Sequence, residues 1–188
     1  MSASGAQVIP FSRPFLTPNE IPNVTAVLES DHSHGDGRFT ASASKRLADL
    51  TGAPKVLLTT SGTHALDLAA RLLDLGPGDE VIMPSFTFSS GATSIVSTGA
   101  TPVFVDVDPR TGNIDPERIA AAVTPATKAI SVMHYGGVPV DMTSVLSVAS
   151  DRGIPVIEDN AHGLGVRTPS GTLGTFGALA IQSFHDTK

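Results

Sequence analysis

The fold of this chain is decided by EVIMPSFTFSSGATSIVST, residues 80–98, in which a short apolar run leads through a loop into an amphipathic segment. We predict a strand at 80–83 and a helix over about 88–98. The same alternation recurs along the chain from residue 55 onward. It predicts further strands at 55–59, 102–106, 129–133, 154–158 and 178–182, and further helices at 62–75, 115–123 and 141–152.

Short apolar runs that alternate with helices are typical of a mostly parallel sheet covered by helices on both faces. We therefore predict an α/β fold, with ligands bound beyond the carboxyl ends of the strands. Turn residues agree with this prediction: Gly76-Pro77-Gly78-Asp79 breaks the 62–75 helix, Asp115-Pro116 begins another helix, and Asp141 and Gly153 bound a third. No linker interrupts residues 55–188, which we expect to form one domain.

Residues 1–54 are predicted to form an N-terminal arm followed by helices. Residues 1–16 contain prolines that discourage helix, so we expect an irregular arm. A short helix is predicted over 19–30. A second helix is predicted from an N-cap at Thr40 to about Thr51, where Gly52 would end it.

Composition excludes several classes of function. The chain of 188 residues has 12 Lys and Arg against 18 Asp and Glu, a formal charge of −6, and no basic cluster, so we expect neither nucleic acid nor a membrane as a partner. The absence of cysteine excludes disulfides and thiolate metal sites. No basic segment followed by an apolar run begins the chain, so we predict a cytoplasmic protein.

Thr59-Thr60-Ser61-Gly62-Thr63-His64 joins the first predicted strand to its helix. Backbone N–H groups at that helix N-terminus would form a ready site for a phosphate. The same residues would also be needed if Ser61 only capped the helix, so both interpretations remain open.

Two other predicted strand ends carry side chains suited to a flat, charged ligand. Phe86 and Phe88 follow strand 80–83, where a ring could stack on them, although such residues also serve as core or subunit contacts. Glu158 and Asp159 lie at the end of strand 154–158 and point to opposite faces, so at most one can face a given ligand. A buried carboxylate there needs a partner, either a cationic ring nitrogen or an ordinary structural hydrogen bond.

The closing residues are Ser183-Phe184-His185-Asp186-Thr187-Lys188. A desolvated Lys188 amine could form a Schiff base with a cofactor aldehyde, and Ser183 could offer its hydroxyl to a phosphate. The alternative is that Lys188 is an exposed lysine. His32, His34 and Asp36 have a ligand-like spacing, but they lie in a glycine loop with no further ligand in sight, so we predict no metal site.

Together these stretches resemble the pyridoxal-phosphate-dependent sugar aminotransferases of the DegT/DnrJ/EryC1/StrS family, of fold type I. The resemblance runs from about Gly35 to Lys188. It is carried, in chain order, by 35–40 (GDGRFT), 55–63 (KVLLTTSGT), 78–88 (GDEVIMPSFTF), 105–107 (VDV), 134–137 (HYGG), 158–162 (EDNAH) and 183–188 (SFHDTK). The closing His-Asp-Thr-Lys is most similar to the branch that makes dTDP-4-amino-4,6-dideoxygalactose.

The resemblance implies pyridoxal 5'-phosphate as the cofactor and a role for each candidate residue. Lys188 would hold the cofactor and move the proton, and Asp159 would pair with the protonated ring nitrogen. Phe88 would stack on the ring, and His162 would lie near its 3-hydroxyl. The phosphate would be held by Gly62, Thr63 and Ser183. With lysine at position 188 the chain resembles the transaminases of the family, because their dehydratase relatives carry histidine there.

The implied reaction transfers an amino group from glutamate to a nucleotide-linked keto sugar such as dTDP-4-keto-6-deoxyglucose, in a homodimer. A 3-keto sugar or aminocyclitol transaminase, or a non-catalytic fragment that needs a complementing chain, are the alternatives. The resemblance also implies that residues 55–188 are the cofactor-binding large domain, incomplete at its C-terminus, and that a small C-terminal domain is absent. We therefore expect this chain to be the N-terminal half of a longer protein.

Overall fold

The computed structural model describes residues 9–10 and 12–188, so residues 1–8 and 11 of the predicted arm lie outside the described part. Residues 12–17 are irregular, and the helices α1 (Glu20–Leu28) and α2 (Arg38–Thr51) follow. The prediction of Thr40 as an N-cap is wrong, because the N-cap of α2 is Gly37, three residues earlier. The chain has already turned at Asp36, which has a φ of 65°. Gly52 ends α2 in the left-handed conformation, as predicted.

The remainder of the chain alternates strands with helices. The helices are α3 (Gly62–Leu72), α4 (Ser89–Val96), α5 (Pro116–Ala122) and α6 (Met142–Ser150). The strands are β1 (Glu80–Pro84), β2 (Thr101–Val105), β3 (Thr127–Met133), β4 (Val156–Asp159), β5 (Arg167–Thr168), β6 (Gly171–Thr172) and β7 (Leu179–Ile181).

Five of these strands form a parallel sheet in the order β2-β1-β3-β4-β7, while β5 and β6 pair as a short antiparallel hairpin. The predicted α/β class with a mostly parallel sheet is confirmed. Because all five strands run in one direction, their carboxyl ends, and the loops that follow them, lie along one edge.

Both faces of the sheet are covered, as the near-continuous apolar strands require. Alternate residues of β1 serve different cores: Ile82 packs in the cluster that includes α5 and α6, whereas Val81 and Met83 pack with residues of α3 and α4. A third cluster joins α3 to β4 and β7 through Leu66, Ala69, Ile157 and Ile181. This third cluster holds the start of α3 beside the ends of β4 and β7.

Helix boundaries follow the capping residues. The side chains of Ser61, Asp115 and Asp141 accept N–H groups in the first turns of α3, α5 and α6, and Pro116 is the first residue of α5. Helix α3 ends at Leu72, three residues before the predicted end, because Asp74 adopts a left-handed φ of 52°.

The prediction of a strand at 55–59 is wrong. These residues have no regular secondary structure, and Leu57 and Leu58 are 59% and 40% exposed. An apolar run becomes a strand only when a neighbouring strand receives its N–H and C=O groups, and no described strand pairs with this segment. The apolar pattern therefore indicated buried strands correctly at 80–83, 129–133 and most of 154–158, but it could not supply a partner strand for 55–59.

Candidate active site

A cavity of about 520 Å³ lies at the carboxyl edge of the sheet, between the start of α3 and the ends of β3, β4 and β7. The structure brings six of the seven candidate residues to its wall, namely Gly62, Thr63, Phe88, Asp159, Ser183 and Lys188. The seventh, His162, contacts Lys188 directly. A larger groove of about 940 Å³ lies by the loop before α5 and holds none of these residues.

The start of α3 forms one side of the cavity. The Ser61 hydroxyl caps the helix by accepting the N–H of His64, at 3.1 Å. Among the described residues the N–H groups of Gly62 and Thr63 have no acceptor, as expected for the first helical turn. A Cβ on Gly62 would lie 3.6 Å from the Cβ of Ser183, so Ser183 is directly beside these N–H groups. The capping and anion-binding interpretations of this stretch are therefore compatible.

Asp159, the last residue of β4, lies at the base of the cavity and is only 5% exposed. Its Oδ1 accepts the N–H of Ala161 at 3.1 Å. Burial raises the pKa of Asp159, and the N–H of Ala161 partly opposes this rise; positive charge on His162 or Lys188 would oppose it further. A cationic group bound in the cavity would therefore stabilise the ionised carboxylate.

The preceding residue, Glu158, is fully buried and serves a different set of partners. Its Oε2 accepts from His134 Nε2, also fully buried, at 2.9 Å. It also accepts three backbone N–H groups, those of Gly174, Phe176 and Gly177, at 2.6–2.9 Å. Burial alone would raise the pKa of Glu158, but the hydrogen bonds from His134 and from the backbone outweigh it and hold the pKa below its ordinary value.

This buried pair ties the end of β4 to its surroundings. His134 Nδ1 accepts the N–H of Val140 at 3.1 Å, so its proton is on Nε2 and faces Glu158. The N–H of His134 in turn donates to the carbonyl oxygen of Asp159 at 3.1 Å. The pair therefore connects the residues that flank the cavity without entering it.

His162 and Lys188 meet at one end of the cavity. The Nζ of Lys188 lies 2.9 Å from Nε2 of His162, and the N–H of Gly136 donates to Nδ1 of the same ring at 3.1 Å. The ring of Tyr135 approaches His162 edge-on at a centroid distance of 5.5 Å. Burial lowers the pKa of His162; positive charge on Lys188 would lower it further, whereas the negative charge of Asp159 opposes both.

The two candidate phenylalanines occupy different positions. Phe88 immediately precedes α4, lines the cavity and is 64% exposed, which makes its ring available to a ligand. Phe86 instead stacks obliquely on Tyr135, with 4.5 Å between the ring centroids, and does not line the cavity.

The remaining features concern metal ions and membranes. In the described part of the chain no three His, Cys, Asp or Glu side chains are grouped to hold a metal ion, and His32 and His34 both contact the carbonyl oxygen of Gly35. No helix of that part is both long and apolar enough to cross a bilayer.

Sequence reasoning did not find the pairing of His134 with Glu158 or the contact between Gly136 and His162. Both contacts join residues more than 20 positions apart, so no local sequence pattern predicts them. The available signal was that His134 follows β3 as directly as Asn160 follows the adjacent β4, which places their strand ends side by side.

The groups on this cavity fit one kind of cofactor. Pyridoxal 5'-phosphate has an aldehyde for a lysine amine, a phosphate for unpaired helix N–H groups and a basic ring nitrogen for a buried carboxylate. The fold is that of the pyridoxal-phosphate-dependent enzymes of fold type I. The chain belongs to the DegT/DnrJ/EryC1/StrS aminotransferase family, whose family model matches residues 14–188.

Relatives and solved structures agree with this assignment. The chain is 42% identical over 180 residues to the spore coat polysaccharide biosynthesis protein SpsC of Bacillus subtilis, covering 96% of this chain and 46% of that protein. It is 39% identical over 183 residues to the dTDP-4-dehydro-2,3,6-trideoxy-D-glucose 4-aminotransferase of Saccharopolyspora spinosa, covering 96% and 47%. The chain therefore spans about half the length of these relatives.

Among solved structures, the fold is similar to the PLP-form of the putative sugar aminotransferase Spr1654 from Streptococcus pneumoniae. The TM-score is 0.88 at 33% identity, over 96% of this chain and 50% of that one. Aminotransferases of this family use pyridoxal 5'-phosphate, and the residues on the cavity described above fit that cofactor.

Proposed function

We propose that the whole protein to which this chain belongs transfers an amino group from glutamate to the keto carbon of a nucleotide-linked sugar such as dTDP-4-keto-6-deoxyglucose. The observation that carries the proposal is the meeting of Lys188, Asp159 and the α3 N-terminus on one cavity. Membership of an aminotransferase family supports the reaction class. The similarity to a dTDP-keto-sugar aminotransferase supports the substrate class.

Two side chains of the chain perform the chemistry in this proposal. When bound, pyridoxal phosphate supplies an electron sink for the carbanion formed at the amino-bearing carbon. Lys188 holds the cofactor through Nζ and, once released, uses the same atom to remove and return the proton. Asp159, buried and short of partners, keeps the ring nitrogen protonated through its negative charge.

In this proposal, other residues orient the cofactor and enclose it. The N–H groups of Gly62 and Thr63 and the hydroxyl of Ser183 bind the phosphate, aided by the positive end of the α3 dipole. Phe88 covers one face of the ring and excludes water from it. Residues 55–188 act as the cofactor-binding domain.

The proposal includes a homodimer. Ile21, Val24 and Leu28 recur on one face of α1 at helical spacing, and all three are at least 58% exposed. Helix α1 has no buried residue in the described structure, which supports a second copy of the protein as its cover.

The substrate assignment is tested by product analysis. The whole protein is incubated with glutamate and dTDP-4-keto-6-deoxyglucose, and in parallel with a 3-keto nucleotide sugar, and the products are identified by mass spectrometry. We expect 2-oxoglutarate and a dTDP-aminosugar in equal amounts, and a much slower reaction with the 3-keto substrate. Preferential amination of the 3-keto substrate would refute the substrate assignment, and failure to aminate any keto sugar would refute the proposed function.

A further inference from the structure

We propose that the backbone N–H of Gly136 fixes His162 in the tautomer protonated at Nε2, so that His162 is a hydrogen-bond donor to Lys188 and does not act as a base. This inference rests on the proposed function, since Lys188 is taken as the lysine that holds the cofactor. Gly136 is then a positioning residue for the reaction, acting through His162.

The tautomer follows from the two hydrogen bonds of the ring. A backbone N–H can only donate, so the Nδ1 atom that receives it from Gly136 at 3.1 Å must be unprotonated. A neutral imidazole carries one proton, which is therefore on Nε2. That nitrogen faces Nζ of Lys188 at 2.9 Å.

The same contacts define which form of Lys188 could accept a hydrogen bond from His162. A donor at Nε2 needs an acceptor, and a lysine nitrogen accepts only through the lone pair of its uncharged amine, because an ammonium is donor-only. The uncharged amine is the form that attacks a carbonyl. A His162 acting as a base toward Lys188 would need its lone pair on Nε2 and its proton on Nδ1, which would then face the N–H of Gly136, donor against donor.

The charged imidazolium meets the same obstacle, because it also carries a proton on Nδ1. Burial of the ring acts in the same direction by lowering the pKa of His162. The titratable groups around the ring are Lys188, Asp159 and Tyr135, of which Asp159 alone favours the charged form. His162 is thus held neutral and in one orientation.

Hydrogen bonds and close packing hold the loop that carries Gly136 in place beside His162. The backbone of Gly136 and Gly137 is left-handed, with φ values of 59° and 77°. The N–H of Tyr135 donates to Oδ1 of Asn113 at 2.9 Å, and that of Gly137 donates to the carbonyl oxygen of His134 at 3.0 Å. A Cβ on Gly137 would come within 3.0 Å of the carbonyl oxygen of His162, so the loop lies directly against the turn that carries His162.

Two substitutions of His162 distinguish its role as a hydrogen-bond donor from a role as a base. In His162→Gln the amide oxygen can accept from Gly136 and the amide NH₂ can donate to Lys188, but the side chain has no basicity. In His162→Phe the ring volume remains and both hydrogen bonds are lost. If His162 is a hydrogen-bond donor, His162→Gln should capture the cofactor at nearly the natural rate and His162→Phe should capture it more slowly. If His162 is a base, both variants should be slow.

The tautomer is measured first, in the whole protein labelled with ¹⁵N-histidine and free of cofactor. Long-range ¹H–¹⁵N correlation spectra distinguish the two neutral tautomers from the imidazolium, and the signals of His162 are those missing from His162→Gln. We expect the Nε2-protonated form from mildly acidic to alkaline pH. An Nδ1-protonated or charged ring at neutral pH would overturn the inference. This readout needs no catalysis, so it stands or fails separately from the proposed function.

The second measurement is the rate at which cofactor-free protein captures pyridoxal phosphate, followed by absorbance across a range of pH. We expect His162→Phe to capture it about fivefold more slowly near neutral pH, the factor that corresponds to one net hydrogen bond. His162→Gln should stay within about twofold of the natural protein. Equal slowing in both variants would overturn the donor role, whereas failure of the natural protein to capture cofactor would instead refute the proposed function.

Discussion

The buried pair of Glu158 and His134 makes a quantitative prediction for Glu158→Gln. In the natural protein Oε1 accepts from Phe176 and Gly177, and Oε2 accepts from Gly174 and His134. A glutamine keeps one oxygen and replaces the other by NH₂, so in either orientation two of the four donors face another donor. Glu158→Gln therefore loses two hydrogen bonds to a charged acceptor, each worth about 1.5–3 kcal/mol.

The expected loss is about 3–6 kcal/mol in the free energy of opening the segment around β4, similar to the cost of removing one partner from other buried pairs. Amide hydrogen exchange of the whole protein measures it locally, at Gly174, Phe176, Gly177 and Val140. Glu117→Gln is the matched control, because Glu117 is exposed in the first turn of α5 and should change stability by less than about 1 kcal/mol.

The dependence of stability on pH gives a second test of the role of Glu158. Because the pKa of Glu158 is lowered in the folded protein, its ionisation contributes stability that is present above its ordinary pKa and is lost as pH falls through the lowered value. Glu158→Gln should remove this part of the acid dependence. A loss below about 1 kcal/mol, with unchanged protection of the four amides, would refute the view that this pair holds the end of β4.

Three further predictions concern single positions. Asp159→Asn should lower transaminase activity at least about 100-fold and weaken retention of the cofactor on gel filtration, because the ring nitrogen loses its charged partner. The same variant should be at least as stable as the natural protein when free of cofactor at neutral pH, as thermal unfolding would show: burial raises the pKa of Asp159, so its ionisation costs stability as pH rises above the ordinary value. Gly137→Ala should destabilise the protein by about 1–3 kcal/mol in chemical denaturation, because its φ is 77° and the new Cβ would lie 3.0 Å from the carbonyl oxygen of His162; an unchanged midpoint would count against this packing. Asp115→Ala should cost about 1 kcal/mol through loss of the α5 N-cap, with the exposed Asp151→Ala as its control.

Much of the fold could be predicted from the sequence because its signals are local. Apolar runs such as 80–83 and 129–133 became buried parallel strands, and Ser61, Asp115 and Asp141 capped helices where their side chains could reach first-turn N–H groups. Phe88, Asp159, Ser183 and Lys188 came together because each lies at or just beyond the carboxyl end of a strand of one parallel sheet.

What could not be predicted depends on partners that lie elsewhere in the chain. The run 55–59 has the composition of a strand, but strand formation also requires a neighbour for its backbone groups. Thr40 is a favourable N-cap residue, but the turn at Asp36 lets α2 begin earlier. The contact of Gly136 with His162 is made by a backbone N–H. Every residue except proline has this group, so the identity of residue 136 does not reveal the contact.

Borohydride reduction of the whole protein loaded with pyridoxal phosphate tests whether Lys188 holds the cofactor. Reduction fixes the cofactor to the lysine it occupies, and peptide mass spectrometry locates that residue. We predict a single pyridoxyl-phosphate adduct on Lys188 and none in Lys188→Ala. An adduct on Lys45, Lys55 or Lys128, or a protein that retains the cofactor covalently without Lys188, would contradict the assignment of this site.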